Sequence, residues 1–141
     1  MREIFFRGKR IDNGEWVFGH LYVTHNGDYE IGCYNPDTKI ERWTFDVDPS
    51  TVGQYTGLTD KNGKRIFEGD RVVYPDSTSY SSYDDYSEGY VDYDEEVMRF
   101  YFTDRWFVEM EDFDVVDGMM VDVEIIGNIH DNPELTEVDH E

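Results

Sequence analysis

Four histidines, His20, His25, His130 and His140, are the side chains that titrate closest to neutrality, and with nearby carboxylates they are the first candidates for acid–base or metal chemistry. His20 falls in an apolar run, His25 at a turn, His130 near the end and His140 in the tail. No set of Cys and His has zinc-ligand spacing, so a metal-assisted hydrolase using His20, His25 and neighbouring carboxylates would need partners from distant sequence. Serines gather at Ser77, Ser79, Ser81, Ser82 and Ser87, but without the glycines of a nucleophile elbow. The single cysteine, Cys33, has no neighbouring base and reads as a small packed residue in no internal disulfide. Asp60-Lys61-Asn62-Gly63 starts like a calcium loop, yet its glycine stands fourth instead of sixth and the later ligands are missing, so it reads as a hairpin turn. Gly53-Gln54-Tyr55-Thr56-Gly57 lacks the Lys-Ser/Thr of a phosphate loop and reads as strand that must bend. No complete catalytic set emerges, and the expectation is a non-enzyme with no cofactor and no metal.

The sharper signal is electrostatic. Thirty-three acidic residues against twelve basic ones give a net charge of −21, and the excess is lopsided. Residues 1–71 carry ten Lys/Arg and twelve Asp/Glu, whereas residues 72–141 carry two and twenty-one, a net −19. Such a field repels nucleic-acid phosphates and steers basic partners. The candidate partner-binding residues are Asp84, Asp85, Tyr86, Glu88, Tyr90, Asp92, Asp94, Glu95 and Glu96, where tyrosines add amphipathic contact area between the carboxylates. Three readings of this half stand side by side: a surface that keeps the protein in solution, a mimic of DNA, and a titrator of a basic host protein. The N-terminus has no apolar signal core and no run of eighteen apolar residues exists, so the sequence predicts a protein of the host-cell cytoplasm that neither crosses a membrane nor contacts nucleic acid directly.

Any site must be positioned by strands. Alanine is absent and leucine occurs three times, while Val, Ile, Phe, Tyr, Trp and Thr supply 54 of 141 residues. Branched and aromatic side chains suit a pleated sheet and lose rotamer freedom against a helical turn. The expected fold is mainly β, with little helix and two small antiparallel subdomains, 1–60 and an acidic 61–135. The second is expected to form a small SH3-like or related barrel. Asp12-Asn13-Gly14 and Asn26-Gly27 mark hairpin turns between strands over 3–7, 15–24 and 28–33, and a fourth strand covers 39–45. Later strands are expected over 65–67, 71–74, 97–103, 106–109 and 121–129. The Tyr/Ser/Asp-rich stretch 75–96 has eight acidic residues and no basic one, and reads as an exposed excursion, with an edge strand around 90–94 as the alternative.

Three stretches together resemble one known family. The first is Met1-Arg2-Glu3-Ile4-Phe5-Phe6-Arg7-Gly8-Lys9-Arg10 followed by Gly14-Glu15-Trp16-Val17-Phe18-Gly19. The second runs from Val47-Asp48-Pro49 through Gly53-Gln54-Tyr55-Thr56-Gly57-Leu58-Thr59-Asp60 to Ile66-Phe67-Glu68-Gly69-Asp70, and the third is Ile125-Ile126-Gly127-Asn128-Ile129-His130-Asp131-Asn132-Pro133. Their order and spacing are similar to those of the YopX family of phage and prophage proteins, over roughly 1–74 and 120–135. The resemblance implies a mostly β fold in two parts, a bacterial or bacteriophage origin and a homo-oligomer. It carries over no catalytic residue. The resulting expectation is a phage or prophage accessory protein that binds and associates with itself.

Overall fold

The computed structural model describes residues 4–35, 38, 40–75, 86–96, 98–103, 107–110 and 113–131. It is mainly β: thirteen strands and one 3-10 turn among those residues, with no α-helix. Two compact units divide the chain, Met1–Tyr55 and Thr56–Glu141.

The first unit is an antiparallel ladder. It contains β1 (Phe6–Lys9), β2 (Trp16–Val23), β3 (Tyr29–Asn35), β4 (Ile40–Asp46), the 3-10 turn Pro49–Thr51 and the start of β5 (Gly53–Thr59), in the order β5-β1-β2-β3-β4. Asn-Gly turns join the first strands as their residue types dictate: Gly14 and Gly27 adopt φ of 73° and 87°, conformations that cost a side chain dearly. Alternation sends Ile31 inward beside Val47, and Gly8 lets the backbone close on both. A Cβ there would lie 3.1 Å from Val47 Cβ and 3.2 Å from Ile31 Cδ1. Thr51 is buried and accepts the Lys9 N–H at 2.9 Å, tying the 3-10 turn to β1.

The second unit continues with the end of β5, then β6 (Arg65–Phe67), β7 (Asp70–Pro75), β8 (Tyr86–Asp94), β9 (Arg99–Thr103), β10 (Phe107–Glu109), β11 (Val115–Val116), β12 (Met119–Met120) and β13 (Glu124–Asn128). Five of these form a sheet in the order β10-β9-β8-β7-β13, every pair antiparallel. Beside it, β12 pairs in parallel with β5 and antiparallel with β11. Ile66, Val72, Tyr74, Val91, Phe102, Met110, Met120 and Val123 make the core, and the rings of Tyr74 and Phe102 stack at 4.9 Å.

Two expectations need correction here. The five-stranded sheet is open, with β10 and β13 at opposite ends, and does not close into a barrel. At β13 the ladder shifts register between Ile125 and Gly127, and the Ile125 N–H donates to the Asp60 carboxylate instead of to a further strand. The second concerns the acidic stretch. Residues 76–85 lie outside the described residues, but Tyr86–Asp94 is an interior strand paired to β7 on one side and β9 on the other, neither an excursion nor an edge. Few aliphatics are enough because only alternate residues turn inward: Gly89 and Val91 are buried, and Tyr93 packs edge-on against Phe100 at 4.9 Å.

Candidate binding surfaces

One face of the first unit is lined by aromatic side chains at two-residue spacing along β2. Phe18, His20 and Tyr22 share this face, and register places Arg7 opposite Phe18 and Lys9 opposite Trp16. The Arg7 guanidinium lies 4.7 Å and the Lys9 ammonium 5.6 Å from the Trp16 ring centroid, and Phe5 stacks on Phe18 at 6.4 Å. Phe18 and Tyr22 nevertheless remain 41% and 43% exposed.

A carboxylate is seated between the rings further along. Glu41 of β4 reaches over β3 and lies where a Cβ of Gly32 would stand, so only glycine leaves room for it. The Tyr22 hydroxyl donates to Glu41 Oε1 at 2.9 Å and Oε2 at 3.1 Å, and His20 Nδ1 stands 3.9 Å from Oε1. Donation to a carboxylate holds the Tyr22 phenol above its ordinary pKa, because ionising it would break that bond and set two negative charges together. His25 sits exposed in the β2–β3 turn, His130 lies in the turn after β13, and His140 is outside the described residues. Among the described residues no three His, Cys, Asp or Glu side chains come together as a metal site. Cys33 is half-buried on β3, and burial pushes its thiol up.

β4 is the outer strand of this ladder and pairs with β3 alone among the described strands. Ile40 and Trp43, at 50% and 66% exposed, are its apolar side chains open to solvent. Where β4 ends, Arg10 makes two hydrogen bonds to the Asp12 carboxylate at 2.9 and 2.6 Å and covers the Phe45 ring at 3.9 Å. The guanidinium lowers the Asp12 pKa, and Asp12 raises that of Arg10. A recess of about 250 Å³ opens beside this end, lined by Ile11, Asp12, Thr44, Phe45 and Asp46.

The acidic candidates fall in the second unit. Tyr86, Glu88, Tyr90, Asp92 and Asp94 share one face of β8, with Glu95 and Glu96 exposed in the turn that follows; Asp84 and Asp85 lie outside the described residues. Much of this charge is engaged at home. Glu88 is 3.6 Å from the buried Arg71 guanidinium, Asp92 accepts from the Tyr101 hydroxyl at 3.3 Å, and Asp94 accepts the Glu96 N–H at 2.9 Å. Burial is the main cause that raises the Tyr101 phenol. An apolar cleft of about 440 Å³ opens elsewhere in this unit, its wall formed by Leu58, Phe100, Met110 and Phe113, with Arg99 the charged residue among its described lining.

Sequence reading missed three polar roles. Asp60, fully buried, accepts backbone N–H groups of Asn62, Lys64 and Ile125, so its carboxylate closes the turn from within. Arg71 is buried in an ordinary-looking strand, and Gly32 seats Glu41. A glycine inside a strand was the available signal for the last; Arg71 left none.

The YopX protein family model matches residues 5–137. The chain belongs to the YopX family. That match runs through the acidic stretch, which the three quoted motifs leave uncovered. Among solved structures, the crystal structure of protein EF1440 from Enterococcus faecalis is similar to this YopX chain at 27% identity and a TM-score of 0.57, over 96% of this chain and 99% of that one. No curated protein matches. No helix among the described residues is long and apolar enough to cross a membrane.

Proposed function

We propose that this YopX-family chain is a non-enzymatic phage or prophage accessory protein of the bacterial cytoplasm that acts by binding and assembles with copies of itself. One observation carries the reading. Seven of the twelve large hydrophobic residues left exposed among the described positions, Ile4, Ile11, Phe18, Tyr22, Val23, Ile40 and Trp43, belong to the first unit, the smaller of the two. Exposed apolar and aromatic groups are the usual substance of protein contacts. The same unit is nearly neutral: residues 1–55 hold six basic and nine acidic residues, a net −3, against −18 for residues 56–141. Copies meeting there bring the least like charge together.

Light scattering over a concentration series tests this. Raising NaCl from about 20 mM to about 500 mM shortens the Debye length from roughly 20 Å to under 5 Å. Self-association through a nearly neutral apolar surface then strengthens, because repulsion between acidic halves is screened. Trp43→Lys weakens it. A particle that stays monomeric at every salt and concentration overturns the reading.

A second reading rests on the −19 of residues 72–141: capture of a basic host protein, in the manner of a DNA mimic. Its salt dependence has the opposite sign, so a pull-down with purified basic host proteins loses its catch as NaCl rises.

A further inference from the structure

We infer that the apolar cleft of the second unit is a binding site for an uncharged aromatic molecule of about two or three rings. The inference goes beyond self-association and does not require it. Strand alternation builds the cleft. Thr56 and Leu58 stand two apart on β5 and line it together, with Gly57 between them at a φ of 91°. In β9 the ladder sets Phe100 opposite Tyr93 and on the same face as the buried Phe102, which turns it towards the core. Met110, directly after β10, belongs to the core itself, while Leu58, Phe100 and Phe113 pack against that core and keep part of their surface open. The cleft therefore lays bare the flank of an existing ring cluster. Phe113 meets Tyr74 edge-on at 5.4 Å and lies 5.5 Å from Phe102, and those two stack at 4.9 Å. A ring entering beside Phe100, Phe113 and the Met110 thioether extends that cluster through the edge and sulfur contacts that aromatic groups favour.

Size and charge choose the ligand. An apolar cavity of roughly 150 Å³ holds one benzene ring, so the cleft's 440 Å³ suits about two or three. Its polar groups are engaged or peripheral. The Thr56 hydroxyl donates to the Ile66 C=O at 2.8 Å and accepts the Leu58 N–H at 3.2 Å. Arg99 is exposed at the first position of β9 and stands opposite Asp94 in the ladder. No carboxylate belongs to the described lining, so a cation entering the cleft would give up its water without gaining an acceptor. An anion would have to approach a unit whose residues 56–141 carry a net −18. A neutral aromatic body meets neither obstacle.

The probe is N-phenylnaphthylamine, an uncharged dye that brightens on leaving water, titrated into the full chain beside its sulfonate, anilinonaphthalenesulfonate. The neutral dye is expected to saturate at one site per chain and to bind at least about tenfold more tightly than the anion in about 20 mM NaCl, where repulsion is least screened. Val115 lines the cleft and Val116 does not, and both are exposed, at 44% and 58%. Val115→Trp fills the mouth and is expected to weaken the neutral dye at least about tenfold, while Val116→Trp, an equal change on the other face of the same short strand, weakens it less than about twofold. Should Val115→Trp fail to fold, the wild-type chain decides the matter. With its methionine methyl groups labelled with carbon-13 and the Met110 signal assigned through Met110→Leu, the neutral dye is expected to shift that signal and leave the signal of Met98, 76% exposed, in place. An unmoved Met110 signal, equal effects of the two tryptophan variants, or an anion bound as tightly as the neutral dye overturns the inference. Light scattering on the same samples reports self-association separately, so a monomer that binds the neutral dye at Met110 supports the inference while removing the assembly reading.

Discussion

At the scale of single residues, small changes of shape decide where charge sits. Gly32 is the instance with the most consequence, since its missing side chain is what lets Glu41 lie across the sheet against Tyr22. The atoms that a new methyl group would meet first are the Glu41 carboxylate, the far end of a flexible side chain, with Tyr22 Cε2 next at 3.0 Å, so Gly32→Ala displaces Glu41 and shifts the exposed Tyr22 ring by a few tenths of an ångström at small cost in stability. The expected readout is electronic: a spectrophotometric titration of the tyrosines loses its late-ionising Tyr22 component as that phenol drops back towards about 10. A titration curve indistinguishable from wild type excludes the seat. The pH dependence has a definite sign. The folded Tyr22 pKa lies above the unfolded one, so its contribution is complete below about pH 10 and is lost as pH rises through the folded value. The stability margin of wild type over Tyr22→Phe should therefore narrow in urea titrations above pH 10 and stay constant between 7 and 9.

At the scale of elements, two contacts hold the second unit together. The Asp60 carboxylate joins its own turn to β13 through three backbone N–H groups. Asp60→Ala leaves those donors without their acceptor, and at about 1–3 kcal/mol for each buried donor, reduced where water can enter, the loss should be about 3–5 kcal/mol by urea unfolding. A loss below about 1 kcal/mol would mean that water replaces the carboxylate. The second contact is the close approach of β8 to β9. A Cβ at Gly89 would lie 2.8 Å from the Thr103 carbonyl oxygen, which is backbone, and 3.1 Å from the Tyr74 hydroxyl. Gly89→Ala should cost about 1–3 kcal/mol, since a strand paired on both sides cannot step aside. A change within about 0.3 kcal/mol would show that β8 is not held as an interior strand.

At the scale of the whole molecule, charge is the dominant quantity. A net −21 destabilises any compact state by self-repulsion, and the described ion pairs Arg10–Asp12, Lys61–Glu124 and Arg71–Glu88 offset little of it, since most of the groups in them meet solvent. Stability should rise with salt: the thermal midpoint in about 500 mM NaCl is expected several degrees above that in about 20 mM, by calorimetry at pH 7. A midpoint that falls with salt would mean that favourable ion pairs outweigh the repulsion.

What the sequence determines by itself is whatever depends on neighbours along the chain. Asn-Gly pairs set the first two hairpins because only residues tolerant of positive φ can occupy them, and a supply of branched and aromatic side chains with no alanine leaves sheet as the local preference. Charge and family membership are legible for the same reason, as properties of composition and of ordered motifs. Pairing between distant strands is a different matter. Tyr86–Asp94 looks like solvent-exposed sequence, and only β7 and β9 closing on Gly89 and Val91 make it an interior strand; an open sheet instead of a barrel likewise follows from which strands lie at its ends. The seat of Glu41, the three amides on Asp60 and the burial of Arg71 each join residues far apart in sequence, where no local preference can specify a partner and the tertiary fold alone supplies it.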